Sequence, residues 1–204
     1  MFELNDSLIS CLAYIDSNMP YRKKDFYDSI KPQALQAKFW LAKEYNKIYK
    51  EQRTANIIGA GFVMFNDYFL KIMNIDNIVY YDLDKEALSL NWHALKKIRE
   101  EKLISQKCLD VFLDYEYVRN DLYNGVVINY SCESMFYMKN YIDITNYPAN
   151  TVYCFMGSSS FKRGNINVSN SLEDFIEKSG LININYSGEK SFGDETKYLV
   201  IGTT

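Results

Sequence analysis

The pattern of apolar and polar positions divides the chain into a helical opening and a strand–helix alternation that follows it. Asn5 or Asp6 can cap a helix carrying Leu8, Ile9, Leu12 and Ile15. Pro20 and Pro32 bracket a basic connector. From Gln33 a longer helix presents Leu35, Phe39, Ala42, Tyr45 and Ile48 or Tyr49 along one stripe. Short apolar runs then recur at Asn56–Ile58, Asn77–Tyr81, Cys108–Leu113, Val126–Asn129 and Thr151–Met156, and each reads as a strand. Phe62, Phe65, Phe69 and Met73 fall at roughly helical spacing after the first. Leu88, Trp92, Leu95 and Ile98 mark a helix from Lys85 to about Glu101, capped by Asp84. Ser171–Asp174 is a capping box, and its short helix stops at Gly180. Leu181–Tyr186 and Lys197–Gly202 pair as an antiparallel hairpin across a polar stretch, Ser187–Thr196. The expected fold is α/β, a Rossmann-like doubly wound sheet of about seven strands with a C-terminal antiparallel hairpin and N-terminal helices. The 204 residues suit a single domain, with a helical extension over 1–55 and a core over 56–204.

The first strand ends on Gly59-Ala60-Gly61, and the second ends on Asp82. A glycine turn lets backbone approach a ligand closely, and a helix opening there would offer free N–H groups. An acid at the end of the second strand can accept two hydrogen bonds from a ribose diol. The unit predicts a nucleoside-bearing cofactor. The third glycine of a dinucleotide site is replaced by Met64, which disfavours NAD and FAD but not a nucleoside without phosphates, such as S-adenosylmethionine.

Composition adds three constraints. The acidic start Met1-Phe2-Glu3-Leu4-Asn5-Asp6 is not a signal peptide, and no apolar run reaches the ~18 residues of a membrane span. Cys11, Cys108, Cys132 and Cys154 lack C-x-x-C spacing, so buried free thiols in a reducing compartment, the cytoplasm, are expected. His93 is the only histidine and lies beside its helix stripe. No metal site is expected. Net charge is −3, yet residues 21–53 carry nine Lys/Arg against four Asp/Glu. That section is either a solvated helix face or a docking surface for a protein partner.

Five β–α steps and a closing hairpin resemble the class I S-adenosylmethionine-dependent methyltransferases over about residues 33–204, on Gly59-Ala60-Gly61, Tyr81-Asp82-Leu83-Asp84 and Val127–Glu133. The chain is also similar to an uncharacterised methyltransferase-like branch of tailed bacteriophages and bacteria. That likeness rests on Lys38-Phe39-Trp40-Leu41, Asn129–Met135, Asn170–Phe175 and the ending Tyr-Ser-Gly-Glu…Lys-Tyr-Leu-Val-Ile-Gly. The resemblance implies that the last strand lies inside the sheet, not at its edge. It implies that Gly59 and Gly61 pass under the methionine part of the cofactor, and that Asp82 holds the ribose with Leu83 against the adenine. Asp114, or else Asp110, would sit near the adenine amino group. Asn129 and the residues after it would line the methyl-transfer site. Where the branch has histidines, this chain has Ser134 and a replacement near Asn165.

Glu133 is the remaining base candidate, with a solvent-facing or capping role as its alternative. Ser131 could orient a substrate, although a helix-capping role is favoured. Pro20, Pro32 and Pro148 are the only prolines. The Asn/Asp-Pro-Pro-aromatic loop of adenine N6 and cytosine N4 methylation is therefore absent. Cys132 follows Ser131, so the Pro-Cys nucleophile of cytosine C5 methylation is absent too. Specific DNA binding is disfavoured; small-molecule or protein methylation stays open. The competing expectation is a degenerate methyltransferase-like scaffold, a structural or binding component of a phage particle, docking through residues 21–53.

Overall fold

The computed structural model describes residues 6–51, 53–95, 98–100, 102–120, 125–161 and 164–204. In chain order the elements are α1 (Asp6–Asn18), α2 (Lys23–Ser29), α3 (Pro32–Ile48), β1 (Arg53–Ile58), α4 (Asn66–Ile72), β2 (Ile75–Asp82), α5 (Lys85–Ala94), β3 (Ile104–Cys108), α6 (Tyr115–Asn120), β4 (Gly125–Asn129), α7 (Met138–Thr145), β5 (Val152–Ser158), α8 (Leu172–Ser179), β6 (Asn183–Phe192) and β7 (Glu195–Thr203). The strands form one sheet of seven in the order β3-β2-β1-β4-β5-β7-β6. The first five are parallel, and β7 enters antiparallel between β5 and β6. The last strand is thus interior, as expected.

Burial explains the order. Every residue of β4 and β5 is buried, as fits central strands covered on both faces. One face packs under α1, α3 and α4 through Leu41, Ala55, Ile57, Phe69 and Ile128. The other packs on α6, α7 and α8 through Ile58, Val127, Tyr141, Phe155 and Phe175. The capping box forms as read: Ser171 Oγ accepts Asp174 N–H at 3.2 Å, and Gly180 ends the helix at φ +72°.

Four local expectations are corrected. The third strand is Ile104–Cys108, not Cys108–Leu113. Its ladder with β2 ends at the Asp82–Cys108 pair. Asp110 then accepts the N–H groups of Phe112 and Leu113 with Oδ1, folding Leu109–Leu113 into a turn despite its apolar content. The hairpin is longer than expected. Its strands run to Phe192 and from Glu195, so the polar stretch is mostly the solvated face of an edge strand. The helix expected to Glu101 ends at Ala94, and Trp92 is half exposed with the Arg99 guanidinium 3.5 Å above its ring. The Ile98 side chain, like Asn5 and Glu101, lies outside the described residues. Ile9, placed on the α1 stripe, is exposed while Cys11 is buried in its stead.

The connector between Pro20 and Pro32 is helical, and it fastens the N-terminal section to the sheet. Arg22 grips Asp84 with both terminal nitrogens, at 3.2 and 2.5 Å, and reaches Glu86 at 2.9 Å. Tyr21 donates to Glu86 as well. Tyr14 stacks on His93 at 4.3 Å, which gives the lone histidine its boundary role. Burial works against the charge of Asp84, but Arg22 and the capping N–H groups of Ala87 and Glu86 outweigh it and hold its carboxyl below the usual value. Most of the basic section is consumed in this way: Lys23 pairs with Asp16, Lys24 and Lys31 with Asp28, and Lys47 with Glu44.

All four cysteines are free, but Cys108 is exposed rather than buried because it ends the edge strand β3. A thiol reagent should therefore titrate one of the four in the native protein and all four after denaturation. Rapid modification of a second thiol would contradict the burial of Cys11, Cys132 and Cys154.

Candidate active site

Two turns at the carboxyl edge of the sheet are locked to each other. Asp82, at the end of β2, accepts Gly61 N–H with Oδ2 at 2.6 Å and Asp84 N–H with Oδ1 at 2.7 Å. Gly59 and Gly61 both have left-handed backbones, φ +60° and +53°. A Cβ on Gly59 would lie 2.8 Å from Met135 Sδ, whereas one on Gly61 would meet open space. Glycine is required by backbone at both, and by crowding only at the first.

The helix does not open on this turn. Phe62, Val63, Met64 and Phe65 intervene, all buried, and α4 starts at Asn66 after a left-handed Phe65. The left-handed backbone of Phe65, φ +64°, cannot belong to a right-handed helix, so α4 begins only after it. The loop is held by a residue that sequence reading missed. Asn91 on α5 accepts Val63 N–H at 3.0 Å and donates to Gly61 O at 2.6 Å. It lies beside the apolar stripe of its helix and is fully buried, which periodicity alone does not flag.

Beside the turn is a cavity of about 920 Å³. Its floor is Gly59–Phe62, Tyr130, Ser131 and Glu133. The residues Ala34, Ala37 and Lys38 of α3 and the α2 segment roof it, and the tip of the β6–β7 hairpin closes one side. The N-terminal helices therefore cover the edge, as expected. The volume is near the top of the ~300–1,000 Å³ range of ligand sites.

The solvent-facing alternative for Glu133 is overturned, since it is 5% exposed. Its Oε1 accepts Lys197 Nζ at 3.0 Å, while its Oε2 is buried without a partner. Burial would depress Lys197, but Glu133 and Glu195 together raise it above the ordinary lysine value. Ser131 precedes the short turn Cys132–Ser134, yet its side chain makes no capping bond, so the favoured capping role is corrected. Of Asn129 and the residues after it, Tyr130, Ser131 and Glu133 line the cavity and Asn129 does not. It is fully buried; its Oδ1 accepts Ser131 N–H at 2.8 Å, and its Nδ2 points at Met135 Sδ, 3.0 Å away. Asp114 ends no strand. It accepts Asp110 N–H at 3.2 Å and leads into α6. Leu83 is 66% exposed on the β2 side, with Leu113 also exposed. Ser134 Oγ donates to Asn165 Oδ1 at 3.1 Å.

No family model and no curated protein matches the sequence. Solved structures match it in shape. Magnesium protoporphyrin IX methyltransferase from Synechocystis PCC 6803, with bound S-adenosylmethionine, aligns at TM-score 0.61 and 12% identity over 100% of both chains. M. capricolum TrmK in complex with S-adenosylhomocysteine aligns at 0.52 and 15%, over 79% of this chain and 66% of that one. The fold is that of the class I methyltransferases. The [4+2]-cyclase SpnF also aligns, at 0.59 and 11% over 84% of this chain and 82% of the other. The class I fold alone thus does not name a reaction; the site must. Among the described residues, no group of three His, Cys, Asp or Glu side chains could hold a metal ion, and no helix is long and apolar enough to cross a membrane.

Proposed function

We propose that this chain binds S-adenosylmethionine at the carboxyl edge of the sheet and methylates a small-molecule or protein acceptor held in the adjoining cavity. The observation that carries the reading is the Asp82 carboxylate, which braces the Gly59–Gly61 turn that lines the cavity. Each of its oxygens takes one backbone N–H and retains lone pairs for a ribose diol. The open space over Gly61 lets backbone approach the methionine part. Leu83 and Leu113 offer exposed apolar surface to an adenine, and Asp114 or Asp110 is the acid assigned to its amino group.

When bound, S-adenosylmethionine supplies an electrophilic methyl group on a sulfonium. The chain's own task is to align a nucleophile in line with that carbon and to take its proton. Glu133 lines the cavity and its buried Oε2 makes no hydrogen bond, so we assign it that proton, and the Ser131 hydroxyl can orient the acceptor. Calorimetry with S-adenosylmethionine and S-adenosylhomocysteine is the test. Saturable heat with both is expected, and none at millimolar ligand would sink the proposal.

The neutral Ser134–Asn165 pair favours a second reading, a scaffold without catalysis, such as a phage-particle component. Lys43, Lys47 and Lys50 are its exposed docking cations. Loss of the biological role on their reversal to glutamate, with Asp82→Ala silent, would favour this second reading.

A further inference from the structure

Lys38 is a buried charge that the proposed chemistry leaves unused. It is 8% exposed, yet it lines the cavity beside Ala34 and Ala37, whose small side chains leave room in front of it. Its Nζ lies 5.1 Å from the centroid of the Tyr130 ring and 6.0 Å from that of Phe69. Ring faces stabilise an ammonium by about 0.5–2 kcal/mol. Desolvation costs several kcal/mol. Desolvation by burial pushes Lys38 down to about 8.

Other cations of the wall are already answered. Lys24 and Lys31 pair with Asp28 at 2.8 and 2.6 Å, and Lys197 pairs with Glu133 and Glu195 at 3.0 and 2.8 Å. Asp25 is held by Arg22 at 3.0 Å, and Asp194 is exposed at the hairpin tip. Among the described residues, no carboxylate pairs with Lys38. A buried cation that lines a cavity with no carboxylate at ion-pair distance is a half-made ion pair.

We propose that Lys38 anchors a carboxylate carried by a ligand of this cavity. A single ammonium in a cavity also lined by the acids Glu133, Asp28 and Asp25 suits a monoanion better than a phosphate dianion, which would need further donors. The carboxylate has two available sources: the amino-acid end of S-adenosylmethionine, or the methyl acceptor. The first source rests on the cofactor reading above; the second needs only the cavity.

The experiment compares wild type with Lys38→Met, which keeps the length of the stem, and Lys38→Arg, which keeps the charge. The ligands are S-adenosylhomocysteine, 5′-methylthioadenosine (the same nucleoside without the carboxylate) and propionate. If the cofactor is the source, wild-type affinity for S-adenosylhomocysteine falls about tenfold from pH 7 to 9 as Lys38 loses its proton. The ligand's own amine titrates in that range, so the slope counts only where Lys38→Met flattens it. Lys38→Met also weakens S-adenosylhomocysteine about tenfold at pH 7, leaves methylthioadenosine unchanged, and Lys38→Arg restores most of the loss. If the acceptor is the source, both variants bind S-adenosylhomocysteine as wild type does. Propionate then shifts the amide spectrum of the saturated wild type but not that of Lys38→Met. Methylthioadenosine bound equally by all, with neither carboxylate effect, overturns the proposal. Failure of methylthioadenosine to bind wild type sinks the nucleoside reading instead, and the propionate titration then decides for or against Lys38. Thermal melts establish that each variant is folded.

Discussion

Asp82→Ala is expected to weaken S-adenosylhomocysteine binding by about 1–3 kcal/mol, roughly 5- to 150-fold, and to lower stability by about 1–2 kcal/mol. Two effects combine. The ribose loses its acceptor, and the Gly61 and Asp84 N–H groups lose theirs. The turn that follows β1 is then no longer tied to the turn that follows β2. The loss spreads further because Asp84 caps α5 and holds Arg22, which carries the N-terminal roof. Asp82 is partly exposed, so water replaces some of what is lost, which keeps the stability cost moderate. Asp82→Asn retains one acceptor oxygen and should fall between the two. Calorimetry and melting curves on the three proteins measure both effects. Wild-type affinity in Asp82→Ala would remove the central support for the cofactor site.

The architecture was legible because the central strands are apolar throughout. Val126–Asn129 and Thr151–Met156 could be read to within a residue or two, since strands buried on both faces carry no polar alternation to confuse the pattern. The edge strands were harder. In β3, Ile104-Ser-Gln-Lys-Cys is largely polar, while the apolar Leu109–Leu113 that follows is a turn. Hydrophobicity there reports burial of Val111 and an exposed surface at Leu113, not a ladder. The same inversion hid the long hairpin: residues 187–191 are polar because the edge strand β6 is largely exposed to water.

The candidate site divides similarly. Gly59, Gly61 and Asp82 were found because a strand-end turn and a strand-end acid have a fixed spacing. Their mutual hydrogen bond is a tertiary fact that the spacing does not contain. Asn129 was chosen for its place after β4, but its side chain is spent inside the loop. Asn91 and Lys38 were not chosen, because each is a polar residue on or beside an amphipathic helix stripe, where solvent exposure is the ordinary outcome. Only the packing of α3 and α5 against the glycine turn shows them buried.

Glu133→Ala is expected to cost about 2–4 kcal/mol of stability. It strands Lys197, whose side chain is 13% exposed, with Glu195 as its remaining carboxylate in place of two. Full loss of a buried partner costs about 3–5 kcal/mol, and the surviving Glu195 contact trims that. Glu133→Gln keeps an acceptor oxygen for Lys197 and should cost about 1 kcal/mol. The sign of the pH dependence follows from Lys197. Its proton is held more tightly in the folded state, so the stabilisation is fully present below the unfolded value of 10.5 and is lost as pH rises through the higher folded value. Between about pH 6 and 9 the cost of Glu133→Ala should therefore be flat, and above pH 10.5 it should shrink. Urea titrations of wild type, Glu133→Ala and Lys197→Met across that range measure it. A Glu133→Ala protein as stable as wild type would show that the buried pair contributes nothing to the fold. The comparison also isolates the chemistry. The Lys197 contact occupies Oε1 and leaves the buried Oε2 without a partner. A Glu133→Gln protein that is nearly as stable as wild type, but loses methyl transfer, would locate the proton acceptor at that oxygen.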